Sequence, residues 1–309
     1  MQPSRRAFLL GRRPRQSSWA AFCERLSLAV AAPLRDLDPA GGAALLRARS
    51  DAEVRRARAL CQEYGVSLGL PGARPAGRPV LQIDPRGLRA LAPEGGAWRA
   101  GPGCLAGELA AAGLGQFAEV APTCTLADWL ADSHGWPTGE TGVSGVLEAS
   151  VLLADGTAEV LGPFGAADVR PLRSATVQRL VPALFQLAGG QDAAACLAQP
   201  AWPARYRLDA LQPREPAGVN LAHLLLGHDS ALAWVESVLL APAAAPAARF
   251  PPRPARRPRP RAWMRACARC SIRMACWRRA PGPARSAQRG GSKIAPLRLA
   301  QPASPCRRG

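Results

Sequence analysis

Histidine is scarce. The 309 residues hold three, His134, His223 and His228, and His223 and His228 fit no metal-binding spacing. Cysteines are unpaired in the body: Cys23, Cys61, Cys104, Cys124 and Cys196 lie scattered, mostly in apolar surroundings. That pattern reads as free buried thiols in a reducing compartment, not as a disulfide framework. No apolar run reaches about 18 residues, so no transmembrane helix is expected. Lysine is reduced to Lys293 against 39 arginines, and acidic residues are missing altogether after residue 250.

The formal net charge of +18 is therefore unevenly placed. Residues 1–250 carry 24 arginines and 22 acidic residues, a net of +2, whereas residues 251–309 carry 15 arginines and Lys293, a net of +16. A near-neutral body gives no electrostatic argument for DNA or RNA. Only the tail supports nucleic-acid binding, and its Cys267-x-x-Cys270 with Cys276 lacks a fourth ligand at zinc spacing. A hydrophobic content of 48% is ample for a core.

At the N-terminus, Ser4-Arg5-Arg6-Ala7-Phe8-Leu9-Leu10 looks like a twin-arginine export motif. The following Gly11-Arg12-Arg13-Pro14-Arg15 and the Glu24-Arg25 interruption leave no apolar h-region. The expectation is a cytoplasmic chain, with Ser17 or Ser18 capping an amphipathic helix over 19–30.

Periodicity predicts a mixed chain. Ser50 reads as the N-cap of a helix over 51–64, with Glu53 completing a capping box. Val54, Ala57, Leu60 and Cys61 form its apolar stripe, and Gly65 ends it. Val66 to Leu70 and Pro79 to Asp84 read as strands around a Gly/Pro/Arg loop. Trp98 to Gly101 reads as a strand edge before a helix over 104–112. Residues 125–132 are short and helical or irregular, and Trp136 to Gly145 is a glycine-rich loop. Val146 to Ala154 is a strong strand, and Asp155-Gly156 turns it into Thr157 to Leu161. An amphipathic helix over 175–188, an apolar stretch from Asn220 to Leu226 and a strand from Ala231 to Leu240 follow. The order points to an α+β fold. Beyond residue 241, Ala/Pro/Arg dominates and the chain is disordered by composition.

Four segments, in order, resemble the FAD-binding domain of the vanillyl-alcohol oxidase or PCMH-type flavoproteins, which include bacterial glycolate oxidase subunits and D-lactate dehydrogenases. Arg49-Ser50-Asp51-Ala52-Glu53-Val54 through Tyr64-Gly65-Val66 resembles the opening helix and its exit to a strand. Gly101-Pro102-Gly103-Cys104-Leu105-Ala106-Gly107-Glu108-Leu109 resembles the step "xxGxxxgeL" into a helix. Val146 to Gly156 resembles "VlglevVLADG", and Asn220 to Ala233 resembles "dLtrLfvGSEGTLG".

The resemblance implies a two-subdomain PCMH-type fold with FAD in the cleft. The first flavin loop, which holds the FAD pyrophosphate in the family, falls on Leu70 to Gly77, where backbone N–H groups would form an anion nest. Its site residues are Leu70, Pro71, Gly72, Ala73 and Arg74, and only Gly72 and Gly77 survive as glycine. The second falls on Thr125 and Leu126. Thr138, Gly139, Thr141 and Gly142 approach the flavin ring, followed by Val146 and Val151 on the strand and Gly227 and His228 in the fourth segment. His134 is a candidate covalent flavin anchor or base and, more simply, a solvated loop histidine.

Departures from the family pattern are concentrated at these loops. Pro71 and Pro75 donate nothing, so Arg74 or Arg78 would have to supply charge, and a plain surface loop is the alternative. Ala127 and Asp128 stand where the family's "TiGG" has glycines, and Ser230 and Ala233 replace glycines in the fourth segment. No catalytic residue is assigned. Tyr206 with Arg205 or Arg207 is a weak candidate pair with a ready structural explanation.

The tail has a further reading. Thirty-nine arginines against one lysine imply a very GC-rich gene, and such genes give Ala/Pro/Arg-rich products out of frame. Trp and Met have single codons, so part of another frame can be rebuilt. Trp263-Met264 forces Asp, Met274-Ala275 forces Gly and Cys276-Trp277 forces Leu. One allowed product, DARVRALFDPHGVL, resembles the family's "lFDPxgiLNPG" close. A frameshift near residues 241–260 is the expectation.

These readings divide the chain into an N-terminal helical segment (1–34), an FAD-binding domain (35–240) and a basic tail (241–309). They imply an FAD-binding oxidoreductase-like protein, a subunit of a glycolate- or lactate-type 2-hydroxy-acid oxidase or dehydrogenase. Partner subunits and a small 2-hydroxy acid come with that class. A flavin-free structural or partner-binding subunit, and nucleic-acid binding through the tail, stay open as alternatives.

Overall fold

The computed structural model describes residues 17–38, 42–73, 77–132, 136–165, 171–204, 206–228 and 232–243. The twin-arginine-like stretch, Arg74, His134, Arg205 and Ser230 lie outside the described residues, as does the basic tail from 244. Two sheets organise an α+β chain.

The first sheet has the order β1 (Leu34–Asp38), β2 (Ala43–Arg47), β4 (Val80–Asp84), β3 (Ser67–Gly69). β1 is antiparallel to β2, while β2, β4 and β3 run parallel. Helix α2 (Asp51–Tyr64) joins β2 to β3, and β4 inserts between them. Sequence chemistry fixes α2 at both ends. Ser50 Oγ accepts from Glu53 N, and Gly65 closes the helix in the left-handed region. The capping box differs from expectation: Glu53 does not reach back to Ser50. Its carboxylate accepts instead from Ala31 N, Ala32 N and Arg49 N at 3.0, 3.1 and 2.8 Å. Burial alone would raise the Glu53 pKa, but these three backbone donors outweigh it and lower it.

Helix α1 (Ser18–Ala29) is capped by Ser17, whose Oγ accepts from Ala20 N. Its Phe22 and Leu26 are fully buried beside Val54 and Ala57 of α2 and Leu81 and Ile83 of β4. Phe22 meets Tyr64 edge-on at 5.8 Å. So α1 is part of the first core. Each such buried Leu, Ile or Phe contributes roughly 1.5–3 kcal/mol.

The second sheet is antiparallel throughout, with the order β5 (Leu91–Glu94), β6 (Ala97–Ala100), β9 (Ala233–Leu240), β7 (Val146–Leu153), β8 (Ala158–Leu161). Trp98 to Gly101 is not an edge: β6 pairs with β5 on one side and β9 on the other. The Asp155-Gly156 turn joins β7 to β8 as expected, with Asp155 Oδ1 accepting from Thr157 N. Helices α3 (Ala106–Ala111), α4 (Leu126–Ala131), α5 (Ala175–Ala188) and α6 (Gln191–Leu197) contribute buried residues to the second core.

The chain leaving β6 shows why the Gly101–Gly103 step needs glycine. A Cβ on Gly103 would lie 1.9 Å from Pro85 O, and one on Gly101 would lie 2.5 Å from Leu88 O. That closeness lets Gly103 N and Gly101 N donate to Leu88 O and Ala90 O. The segment is thereby pinned before α3.

Among the described residues, no helix is long and apolar enough to cross a membrane. Cys23, Cys61, Cys104, Cys124 and Cys196 are free thiols, and burial pushes the Cys61 thiol up to about 12.

Candidate functional site

The first candidate loop follows β3. Leu70 is buried, Pro71 and Gly72 are exposed, and Ala73 is half-buried. Gln82, buried on β4, sits beneath them. Its Oε1 accepts from Gly72 N at 3.0 Å, and its Nε2 donates to Ala73 O at 3.2 Å. Ala73 N donates to Leu70 O. An anion nest needs unengaged N–H groups, and those of Gly72 and Ala73 are engaged. Drawing Gly72 N away would leave the buried Gln82 carbonyl unpaired, a cost of roughly 1–3 kcal/mol. Arg78 is exposed.

The second candidate segment opens α4. Thr125 is its N-cap, accepting from Asp128 N at 3.1 Å and donating to Asp128 Oδ2 at 2.7 Å. Asp128 is thus turned back onto Thr125. Leu126 N donates to Cys104 O and Ala127 N to Pro102 O. Leu126 and Ala127 are themselves buried. Here too the first N–H groups are closed by the protein.

The glycine-rich loop before β7 is strongly braced. Arg207 and Asp209 form a buried two-pronged pair at 2.9 and 2.7 Å. Arg207 also donates to Pro137 O, while Asp209 Oδ2 accepts from Gly139 N at 2.8 Å. Breaking a buried pair from one side costs on the order of 3–5 kcal/mol, so this clamp holds residues 136–139 firmly. His223 holds the other end of the loop. Its Nε2 lies 2.9 Å from Val146 O, which can only accept, so Nε2 carries the proton. Nδ1, 3.0 Å away, then accepts from Thr141 Oγ1. Burial chiefly lowers the His223 pKa. The bond to Val146 O opposes this, and nearby Arg207 adds to it. Asn220 Nδ2 donates to Leu147 O at 2.9 Å.

Thr141, expected at the flavin ring, therefore has its hydroxyl engaged inward with His223. Thr138 differs: its Oγ1 is buried with no hydrogen-bond partner. Gly139 packs beside Arg214, whose guanidinium pairs with Glu140 at 2.7 Å. Gly142 has open space at its Cβ position. Gly145 cannot take a Cβ, which would lie 2.6 Å from Ala241 O. The buried Gln116 seals that corner, donating to Ala241 O and accepting from Ala243 N.

The remaining candidates lie in the packing. Val146 and Val151 belong to the second core. Gly227 N donates to Leu130 O, and His228 is buried beside it. The rings of Trp129 and Trp136 meet at 5.8 Å. So α4, loop 136–145 and segment 227–228 come together, while Leu70–Ala73 is held on the first sheet. Tyr206 is a core residue, with its carbonyl accepting from Trp202 Nε1, and Arg207 is a clamp. Sequence reasoning missed Gln82, Asp209 and the role of His223, since nothing local marks a tertiary partner.

Comparison with solved structures finds likenesses to several oxidases, each over part of the chain. Carbohydrate oxidase from Microdochium nivale matches with a TM-score of 0.41 and 15% identity, over 74% of this chain and 44% of that one. Glucooligosaccharide oxidase from Acremonium strictum, described with a cysteinyl, histidyl FAD, matches with a TM-score of 0.39 and 15% identity, over 75% and 44%. For 6-hydroxy-D-nicotine oxidase from Arthrobacter nicotinovorans the values are 0.37 and 16%, over 74% and 40%. The chain is similar to part of these oxidases. It spans less than half of their length. No protein-family profile matches the chain, and no curated protein matches it.

Tested against FAD, the donor set divides. Loop 136–145 offers the unpartnered Thr138 hydroxyl. At the first loop, expected at the pyrophosphate, Gly72 N and Ala73 N do not fit it, since they already donate to Gln82 and Leu70. At the second flavin loop Leu126 N, Ala127 N and Asp128 N are likewise engaged, by Cys104, Pro102 and Thr125.

Proposed function

We propose that the chain is an oxidoreductase-like domain of the FAD-binding PCMH type that works as a subunit of an FAD-linked 2-hydroxy-acid oxidase or dehydrogenase. What supports this reading is where its four family-like segments fall. The opening helix is α2 with its left-handed Gly65 exit to β3. The Gly101–Gly103 step enters α3 through contacts that exclude a Cβ. The Ala-Asp-Gly segment is the β7–β8 hairpin, and the fourth segment is a buried 3-10 turn, Leu221–Leu225, leading to β9. A helix-linked parallel arrangement followed by antiparallel hairpins also agrees with the β-α-β order, then hairpins, read from the sequence. The substrate class, a small 2-hydroxy acid, and the partner subunits belong to the same proposal.

The test is purification of the tagged full-length chain from its native cells, with an assay for dye reduction driven by glycolate and D-lactate. The expected result is co-purification with flavoprotein subunits and a preparation active on one of these acids. A chain that purifies alone, from cells whose 2-hydroxy-acid oxidation is unchanged by deleting its gene, would contradict the reading.

A further inference from the structure

We infer that this chain does not hold the pyrophosphate of FAD, and that the flavin of its complex is carried by another subunit. The second half rests on the proposed function; the first rests on the geometry of the loops that the resemblance assigns to the cofactor. A dinucleotide pyrophosphate is held where several backbone N–H groups point at it without another partner. Here Gln82 takes the place of that anion at the first loop. Its side-chain carbonyl accepts from Gly72 N, while its amide end is fixed by Ala73 O. Because Gln82 is buried on a strand paired on both sides, it cannot swing out to water as an exposed side chain would.

At the second segment three successive N–H groups are engaged. Leu126 N and Ala127 N point at the carbonyls of Cys104 and Pro102, and Asp128 N at Thr125 Oγ1. The Asp128 carboxylate, held by Thr125, stands where the resemblance has backbone approach the cofactor. Thus Gly72, Ala73, Leu126, Ala127 and Asp128, in the described residues of the two segments, all donate to the protein's own acceptors, one side chain and at least one backbone carbonyl in each segment. The bracing of loop 136–145 by Arg207, Asp209 and His223 then keeps the fold without a cofactor to complete it.

The full chain, shown folded by circular dichroism, is titrated with FAD and separately with FMN, following flavin fluorescence and the thermal midpoint. The expected result is no saturable quenching, no shift of the midpoint with either probe, and no visible flavin band after desalting. Saturable FAD binding or a raised midpoint overturns the inference. The complex purified from cells gives a second readout that does not need the isolated chain. Its subunits are separated under native conditions and flavin is measured in each, and all of it is expected on the partners. Flavin travelling with this chain overturns the inference and leaves the subunit reading standing. If no complex exists, the subunit reading fails, and the titration alone decides the pyrophosphate question.

Discussion

Arg55 on α2 grips both carboxylate oxygens of Glu236 on β9, at 2.7 and 2.8 Å, across 181 positions of sequence. This pair crosses the seam between the two sheets. Nearby, Arg58 Nε donates to Leu153 O, and Leu152 and Trp234 pack into the first core. The bond to Glu236 raises the Arg55 pKa, while Asp51 is raised by burial and then by Glu236. Arg55 is the exposed member, at 57%, and Glu236 the buried one, at 9%.

That asymmetry sets the order of two substitutions. Arg55→Ala leaves a buried carboxylate facing Asp51 with no cation. It is expected to cost about 1–2 kcal/mol, discounted for the solvent screening of Arg55. Glu236→Gln leaves a cation that water can solvate and is expected to cost less. Urea unfolding of both variants decides this, and a larger loss for Glu236→Gln would overturn the assignment.

His223 makes stability depend on pH. Its folded pKa lies below the unfolded value of about 6.5. Above that value both states are neutral. As pH falls below it, the unfolded chain takes up a proton that the folded chain resists, so stability drops until the folded pKa is reached. His223→Gln is expected to be less stable at pH 8 but flatter between pH 6.5 and pH 5. Equal slopes for the two proteins over that window would contradict the buried neutral ring.

Glycines of similar appearance are expected to behave oppositely. Gly103→Ala places a methyl against Pro85 O and is expected to cost about 1–3 kcal/mol. Gly142→Ala meets nothing within 4 Å and is expected to be neutral or to stabilise by about 0.4–1 kcal/mol. Thermal melts of the pair separate them, and equal losses would show that residues 101–103 are not closely packed.

The tail carries a prediction at the level of the gene. If the sequence beyond residues 241–260 is out of frame, resequencing the locus is expected to reveal a frame crossing there. An uninterrupted frame, with peptides from 251–309 detected in cells, would rule that out.

Much of the fold was legible where a local rule governs it. Ser50, the Val54-to-Cys61 stripe and Gly65 bound α2 as observed, and Asp155-Gly156 marks its hairpin. β1 and β2 carried no such mark. β1 is an edge strand whose Arg35, Asp36 and Asp38 face solvent, so it shows no burial alternation. β5 and β6 have four residues each, too few for a period to emerge. At the candidate site, the eroded glycines were visible in the sequence but their replacement was not. Gln82 stands ten positions after Gly72, and only the pairing of β3 with β4 brings it beneath the loop. Nothing in the sequence places His223 beside Thr141.

The central claim is that Gly72 N–H is already bound within the protein. Amide hydrogen exchange of the folded full chain, measured with and without FAD, tests it most directly. Slow exchange at Gly72, unchanged by FAD, is the expected result. Fast exchange in the free chain that becomes slow when FAD is added would show an open cradle and contradict it.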